Sequence, residues 1–445
     1  MRSLQKKSQF KAGMYLLETL TSGMYNEPLS IYREYIQNAV DSIDQVNNKT
    51  GPLKVKIHIN PFDKTIKVKD NGIGISATLA REVLSSIGNS TKQDSSLRGF
   101  RGIGRLGGLA FCDRAIFRAK SAGEELESIQ DWDCVKLRKG LSTKQNAGKT
   151  IKNLFDRTTS FYQSNGKGPN SSYFEIKLEG VSSFRNYILD INKVRNYLCQ
   201  VAPLPFNKID FPYAKEIENY LKSNIPNYSS YEIYLNGDQI FKEYRDKIRT
   251  NKKGFDFIED VEYFKVDIKN MPAAFGWIGV RKDNLGSLLK SEKVSGIRVR
   301  VGNLLIGDEH LLDNCFRETR FNSYNIGEIY VNYPYLIPNA RRDDFLDNDA
   351  KTLFYDAIEQ QIGLPISKKI RLRSQQNSKT TLSKFNEAIK FDKPKKTGEM
   401  ESTFQNQTII DTNHNYGHKL KETINNLCNS CPNKQKILKS ISDLE

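Results

Sequence analysis

The first regular pattern along the chain is that of a helix. Apolar residues recur at spacings of three and four over residues 27–46, which places them on one helical face. Gly51 and Pro52 then end the pattern. Two segments of alternating apolar and polar residues follow at 55–59 and 65–69, and the short connection between them predicts a β-hairpin.

The remaining patterns divide the chain into two folded regions and a tail. A polar, glycine-rich stretch over residues 70–108 surrounds a short helical pattern at 77–87. Further strand patterns cover residues 173–178, 231–235, 263–268 and 297–301. We therefore expect an α+β protein with a first α/β domain over 1–200, a second α/β domain over 201–365, and a basic tail, partly helical or disordered, over 366–445.

Composition limits the class of protein. The chain has 445 residues, which favours more than one domain, and 38% of them are hydrophobic. No apolar run approaches the roughly 18 residues that span a bilayer. The basic N-terminus is not followed by the apolar segment of a secretory signal. We therefore expect a cytoplasmic globular protein without a membrane partner.

The chain is strongly basic, with a formal net charge of +16 and a pI of about 9.3. Residues 365–396 alone hold ten Lys or Arg against Glu387 and Asp392. A positive charge of this size attracts polyanions nonspecifically. The tail is therefore either a solvated segment or a contact surface for nucleic acid or an acidic partner. Aromatic residues do not alternate with the cations, which favours the solvated alternative.

The predicted helix carries three polar residues on one face. Glu34, Asn38 and Asp41 are separated by four and then three positions, so they lie one above the other. An amphipathic helix usually exposes such a stripe to water. The stripe becomes informative only together with two further motifs.

The second motif follows the second hairpin strand. Asp70, Gly72 and Gly74 occur there in the sequence Asp-Asn-Gly-Ile-Gly. Glycine permits a turn with positive φ and lets a flat ligand approach the backbone closely. A carboxylate at the strand end can accept a hydrogen bond from the exocyclic amine of adenine. The alternative is an ordinary turn, because Asp-Asn-Gly is a common turn sequence.

The third motif contains Gly99, Gly102 and Gly104. Glycines that open a helix expose backbone amides, and these amides together with the helix dipole favour a phosphate. Gly102, Gly104 and Gly107 also match the dinucleotide-binding pattern G-x-G-x-x-G. That pattern requires a preceding apolar strand, and polar residues precede the glycines here, so we reject it. Taken alone, this motif is a weak indication of a phosphate loop.

Taken together, the three motifs resemble a known set. E-x-x-x-N-x-x-D, D-x-G-x-G and G-x-x-G-x-G, in this order, resemble the N, G1 and G2 boxes of the GHKL ATPase superfamily. That superfamily includes type II topoisomerases, MutL, MORC proteins, histidine kinases and the ninety-kilodalton heat-shock chaperones. The resemblance implies that the first domain is a Bergerat-type sandwich that binds ATP.

Flanking residues resemble the heat-shock chaperone branch in particular. Residues 33–41 look like its R-E-L-I-S-N-A-x-D helix, and residues 90–92 stand where it has the lid sequence S-G-T-K. Residues 327–345 resemble its middle-domain segment, whose arginine reaches the γ-phosphate. The family's Gly-Thr motif has no clear copy, and residues 148–151 and 171–172 are both candidates for it.

The resemblance also implies roles for individual residues. Glu34 would orient or deprotonate the attacking water, and Asn38 would coordinate Mg²⁺. The nucleotide would be held by Asn38, Asp41, Asp70, Gly72, Gly74, Lys92, Gly99, Gly102 and Gly104. Either Arg341 or Arg342 would be the catalytic arginine, unless that residue pairs with a neighbouring aspartate.

Two functions follow from the resemblance. One is an ATP-hydrolysing switch like the chaperones, which closes a lid, forms a homodimer and acts on a protein client. The other is a nucleic-acid-associated ATPase of the MutL, MORC or topoisomerase kind, which the basic charge suggests. A histidine kinase is disfavoured because none of the four histidines lies in a convincing phosphoacceptor helix.

Overall fold

The computed structural model describes residues 27–47, 51–86, 104–142, 151–250, 254–282, 286 and 288–391. The described residues up to Gln375 form one compact unit, and those from Gln376 onward belong to a second unit. Helices and two β-sheets make up the first unit, which confirms the α+β class. Within the described part of the chain, no helix is long and apolar enough to cross a membrane.

The first sheet has eight strands in the order β5-β4-β3-β6-β2-β1-β7-β8. Its strands are β1 (Lys54–Asn60), β2 (Thr65–Asp70), β3 (Arg114–Lys120), β4 (Leu126–Asp133), β5 (Thr159–Asn165), β6 (Tyr173–Glu179), β7 (Glu232–Leu235) and β8 (Asp238–Gln239). All neighbouring strands are antiparallel except β1 and β7, which are parallel. The predicted hairpin is confirmed, with Val55 opposite Asp70.

Several helices lie in the same part of the chain as this sheet. They are α1 (Ser30–Asp44), α2 (Ala80–Ser85), α3 (Cys134–Ser142), α4 (Ile151–Thr158), α5 (Arg185–Ile188) and α6 (Ile191–Val201), with a 3₁₀ helix at Gly104–Ala110. The predicted first helix is confirmed as α1, which packs against β1, β2 and the 3₁₀ helix. Ile31, Ile36 and Val40 of α1 are fully buried. Each such side chain stabilises the fold by about 1.5–3 kcal/mol relative to an exposed one.

The second sheet has six strands in the order β13-β12-β14-β11-β10-β9. They are β9 (Lys247–Thr250), β10 (Gly254–Ile268), β11 (Met271–Arg281), β12 (Gly296–Val301), β13 (Leu304–Ile306) and β14 (Ile326–Val331). Its helices are α7 (Ala214–Asn224), α8 (Asp349–Ile358) and α9 (Leu364–Phe391), and a π-helical turn joins the last two. The expected polar tail therefore begins as a helix, within which lies the boundary between the two units.

The two sheets are joined by buried contacts rather than by an open linker. Residues 232–239 belong to the first sheet although they follow residue 200, so the domain boundary predicted there does not separate the two sheets cleanly. The Lys242 ammonium group donates to the Glu328 carboxylate of β14 at 2.8 Å, and Glu328 also forms an ion pair with Arg300 of β12. Arg300 also donates to the backbone oxygen of Gln200 in α6 at 3.0 Å.

Candidate functional site

The polar stripe of α1 contains one residue that the sequence did not suggest. Every residue from 30 to 43 is buried except Glu34, Asn38 and Ser42, which follow each other at intervals of four. Asp41 is instead fully buried. The turn after β2 covers this part of the helix, since the Ile73 amide donates to the Ser42 carbonyl at 3.1 Å. Ser42 therefore lies in line with Glu34 and Asn38 on the half-exposed face, and the nucleotide-binding role of Asp41 stays a prediction.

Asp70 ends β2 beside this stripe. Its Oδ1 accepts hydrogen bonds from the Gly72 amide at 2.9 Å and from Ser42 Oγ at 3.1 Å. The carboxyl group is buried, and burial raises its pKa to about 7. Desolvation outweighs the hydrogen bonds, which act in the opposite direction. Asp70 is therefore a buried acceptor whose charge changes near neutral pH.

The two glycines of this turn allow close packing. A Cβ at Gly72 would lie 2.6 Å from the backbone carbon of Ser42, so only glycine lets the turn rest on α1. Gly74 has a φ of +69° and packs against the carbonyl of Lys120 at the end of β3. Ser172 Oγ donates to the Gly72 carbonyl at 2.6 Å. Of the two candidates for the Gly-Thr motif, residues 171–172 therefore reach this turn, and Thr150 lies outside the described residues.

Gly104 starts the 3₁₀ helix directly against the catalytic candidate on α1. A Cβ at Gly104 would collide with the Glu34 carboxylate, so the absence of a side chain brings the backbone to Glu34. The following Arg105 donates from Nη2 to the carbonyls of Val83 at 3.2 Å and Leu84 at 3.3 Å, and also to that of Ser86. Arg105 thereby fastens the 3₁₀ helix to the end of α2. Sequence reasoning missed this residue, although it directly follows the glycine motif.

Three other predicted residues cannot be placed. Lys92, Gly99 and Gly102 lie outside the described residues. Their roles stay predictions from the sequence.

The two candidate arginines occupy different environments. Arg342 is buried, and its Nε lies 3.7 Å from Oε1 of Glu34. Arg341 is exposed, and its backbone oxygen accepts a 2.6 Å hydrogen bond from Arg33 Nη2. Consecutive residues of α1 thus contact consecutive residues of the segment before α8. The neighbouring aspartates that could have paired with these arginines have other partners: Asp344 pairs with Lys351 at 2.8 Å, and Asp343 accepts a hydrogen bond from Asn339 at 2.5 Å.

Arg342 adopts an uncommon backbone conformation. Its φ of +59° lies in the left-handed region, which costs a residue with a side chain on the order of 1 kcal/mol. The left-handed turn directs its guanidinium toward Glu34. The structure therefore brings Arg342, rather than Arg341, into the site by its side chain.

The residues near Glu34 suit a hard divalent cation that retains ligands from a nucleotide. Asn38 and Glu34 present an amide and a carboxylate from the same half-exposed stripe. Among the described residues, no group of three His, Cys, Asp or Glu side chains forms a metal cage. Mg²⁺ commonly takes only one or two protein ligands beside phosphates and water, so the Asn38 amide fits this ion as a ligand, and the Glu34 carboxylate nearby is free to hold a water molecule.

Comparison with known proteins yields a family for this region. The family model described as histidine kinase-, DNA gyrase B-, and HSP90-like ATPase matches residues 28–160. The chaperone protein HtpG of Psychrobacter arcticus is 29% identical over 168 residues, covering 33% of this chain and 25% of that protein. HtpG of Helicobacter hepaticus is 32% identical over 143 residues, covering 27% of this chain and 23% of that protein.

A third relative agrees with these two. HtpG of Shigella dysenteriae is 26% identical over 140 residues, which cover 26% of this chain and 22% of that protein. The chain therefore spans about a quarter of the length of these three relatives or less. The matched region includes α1, the Asp70 turn and the 3₁₀ helix. The chain contains a GHKL-type ATPase domain related to the HSP90 branch of that superfamily.

Proposed function

We propose that the chain binds ATP between α1, the Asp70–Gly74 turn and the 3₁₀ helix, and hydrolyses it with Glu34 holding the attacking water. The observation that carries this proposal is the half-exposed stripe of Glu34, Asn38 and Ser42 on an otherwise buried helix. Polar side chains that stay accessible on an otherwise buried helix are available to a polar ligand.

Asp70 supplies the recognition of adenine. Ser42 and Gly72 hold one oxygen of its carboxylate, which fixes the orientation of the group. The ionised carboxylate accepts a hydrogen bond from the exocyclic amine, and Gly74 lets the turn that carries it pack directly against the end of β3. Ser172 supports the same turn from β6.

Glu34 and Asn38 face the phosphates. A bound Mg²⁺ would supply positive charge to the phosphate oxygens. Glu34 orients the water for in-line attack and accepts its proton. Asn38, one helical turn away, would hold the metal through its amide oxygen. Gly104 allows the backbone of the 3₁₀ helix to close directly over Glu34.

Arg342, in the segment between β14 and α8, acts as the phosphate sensor. Its guanidinium lies beside Glu34, where the γ-phosphate would be attacked. A positioned arginine stabilises the charge of the transition state and is worth about 10³-fold or more in rate. Arg341 contributes through its backbone oxygen, which accepts a hydrogen bond from the Arg33 guanidinium.

Hydrolysis at this site would drive a switch like that of the chaperones, with a nucleotide-dependent homodimer and a protein client. Light scattering of the full chain with and without a nonhydrolysable ATP analogue tests the dimer. A monomer in both samples would exclude nucleotide-driven dimerisation.

The basic helix α9 supports a second candidate, a nucleic-acid-associated ATPase. Among the described residues, Lys368, Lys369, Lys379 and Arg371 project positive charge from it, and Lys369 and Arg371 are partly neutralised by ion pairs. Turnover measured with and without duplex DNA, at stated salt, separates the two candidates. Stimulation by DNA that weakens with added salt favours the second.

The decisive test of the site is Glu34→Ala. We expect turnover to be abolished while the nonhydrolysable ATP analogue still binds, because Asp70 and the glycines remain. The matched control is Glu82→Ala, which removes an exposed carboxylate from nearby α2. Wild-type turnover in Glu34→Ala would refute the assignment.

A further inference from the structure

The second sheet has an outer face, at β9 and the start of β10, that carries exposed aromatic rings. Phe255 and Phe257 are 52% and 42% exposed, whereas Asp256 between them is buried. Side chains alternate between the two faces of a strand, so both rings lie on the same accessible face. Neighbouring apolar side chains that stay exposed often mark an interaction site.

A buried ion pair behind the strand keeps the two rings at the surface. The Asp256 carboxylate accepts a hydrogen bond from Arg281 Nε at 2.8 Å, and both side chains are buried. The same carboxylate accepts from the Phe257 amide at 2.8 Å. The Lys282 amide donates to the Phe257 carbonyl at 2.9 Å, which ties this part of β10 to β11. Turning the rings inward would therefore break the contact between Asp256 and Arg281.

Strand β9 places cations beside the two rings. Lys247 lies opposite Phe257, and Arg249 lies opposite Phe255, in the antiparallel pair of β9 with β10. Both cations are exposed, and so is Arg245 two residues earlier, whereas the residues between them are buried or half-buried. The three cations therefore form a row on the same face as the rings.

Two cations of this row are available to a ligand. The Lys247 ammonium group lies 4.2 Å from the centre of the Phe255 ring and 6.0 Å from that of Phe257. Neither Arg245 nor Lys247 forms an ion pair with a described residue. Asp246 alternates with them along the chain and so belongs to the opposite face. The rings, rather than a carboxylate, thus hold the Lys247 charge in place.

The acids on this face are matched by its other cations. Glu292 lies 3.8 Å from Arg249, and Glu259 lies 3.8 Å from Lys282. Asp260, the next acid along β10, follows a β-bulge beyond the end of the row. The two cations without ion pairs therefore leave the face around the rings with a net positive charge.

Rings and cations on one open strand pair are suited to single-stranded nucleic acid. Bases stack on aromatic rings while Lys and Arg follow the phosphates. A duplex keeps its bases stacked inside and cannot use the rings, and an acidic peptide would use the charges alone. The basic tail differs from this face because aromatic residues do not alternate with its cations.

We propose that the outer face of β9 and the start of β10 binds a single strand of DNA or RNA. Bases stack on Phe255 and Phe257, and the phosphates contact Arg245, Lys247 and Arg249. The face belongs to the second sheet and uses no residue of the proposed ATP site, so the proposal does not rest on ATP binding.

Fluorescence anisotropy of the full chain, without nucleotide, tests the proposal. The probes are an oligothymidine of about 12 nucleotides, an abasic strand of the same length, and a duplex with the same number of phosphates. We expect the oligothymidine to bind at least about tenfold more tightly than the abasic strand. That ratio corresponds to about 1.4 kcal/mol, which lies at the lower end of the stacking gain for one base. The oligothymidine should also bind more tightly than the duplex.

Protein variants separate stacking from charge. Phe257→Ala should lower the affinity for oligothymidine about tenfold and leave that for the abasic strand unchanged. Phe257→Tyr keeps a ring and should bind like the unchanged chain. Lys247→Ala should weaken both strands and reduce the slope of log affinity against log salt by about 0.7.

Two exposed residues of the first sheet provide matched controls. Phe62 at a hairpin tip is 93% exposed, and Lys56 of β1 is exposed. Phe62→Ala and Lys56→Ala remove a ring and a charge of the same kinds from another surface. Both variants should bind the oligothymidine like the unchanged chain.

Four outcomes would overturn the proposal. They are no binding, equal binding of the oligothymidine and the abasic strand, unchanged affinity in Phe257→Ala, and tighter binding of an oligoglutamate peptide of the same charge. The second and third would assign the binding to charge alone, as on the basic tail, and the last would identify an acidic protein segment as the occupant. No readout involves ATP, so failure here is distinct from a failure of the Glu34 assignment.

Discussion

The contact between Gly104 and Glu34 leads to a sharp prediction for Gly104→Ala. The added Cβ would collide with the Glu34 carboxylate and would also lie 3.3 Å from Glu34 Cδ. To restore an ordinary contact the carboxylate must move by about 1 Å, and a displacement of that size can cost about 10²-fold in rate. That factor corresponds to about 2.7 kcal/mol of activation free energy.

Backbone strain does not complicate this substitution. Gly104 does not have a positive φ, so alanine fits its conformation and restricts the unfolded chain, which is stabilising where no clash occurs. We therefore expect kcat to fall about a hundredfold, with a smaller change in the affinity for a nonhydrolysable ATP analogue. Steady-state phosphate release and analogue titration measure the two quantities, and circular dichroism verifies the fold.

Gly51→Ala is the matched control. A Cβ there meets no atom within 4 Å, and Gly51 also lacks a positive φ. Its turnover should equal that of the unchanged chain. If Gly104→Ala hydrolysed ATP at the normal rate, Glu34 could not be the group that holds the water in the proposed position.

Other substitutions test the rest of the site and its junction. Arg342→Ala should lower kcat about 10³-fold, whereas Arg341→Ala should change it little because its backbone makes the contact; equal effects would contradict the assignment. Burial raises the pKa of Asp70 to about 7, so affinity for ATP should fall as the pH drops through 7 and the carboxyl group takes up a proton. In the nucleotide-free chain the same carboxyl group has the opposite effect on folding: its contribution to the free energy of unfolding decreases as the pH rises from 3.8 to about 7. Asp70→Asn should remove both pH dependences. Glu328→Gln leaves its two buried cations uncompensated and should cost about 3–5 kcal/mol in urea unfolding. The comparison is the exposed ion pair of Lys369 with Glu262. Lys369→Met, which removes it, should lower the free energy of unfolding by less than about 1 kcal/mol.

Local sequence determined the parts of the site that depend on short-range patterns. The spacing of apolar residues over 27–46 predicts α1, and the alternation at 55–59 and 65–69 predicts the hairpin that ends at Asp70. Both are present in the structure. The glycines at positions 72, 74 and 104 also indicated close packing of the backbone, because a backbone segment that closely approaches a neighbour leaves no space for a Cβ.

Other elements were missed because their patterns are weak. Strand β5 has only polar and aromatic residues, and β3 and β4 are buried on both faces for much of their length, so they lack the alternation of a half-exposed strand. They follow a glycine-rich stretch that showed no strand pattern. β3 pairs with β6, which lies far away in the sequence, and β4 pairs with β3 and β5, so strand pairing sets their strand state.

Tertiary structure alone decided which polar residues meet. Helical spacing cannot tell that Asp41 is buried while Ser42 stays half-exposed, because burial depends on which distant segments pack against each side of α1. Nor can it distinguish Arg341 from Arg342, which are adjacent in sequence but separated by the left-handed turn at Arg342. The sequence determines the periodicity of apolar residues and the backbone conformations that each residue can adopt, because these are local properties of the chain. Burial and contact between distant residues depend on how the elements pack, so only the folded chain defines them.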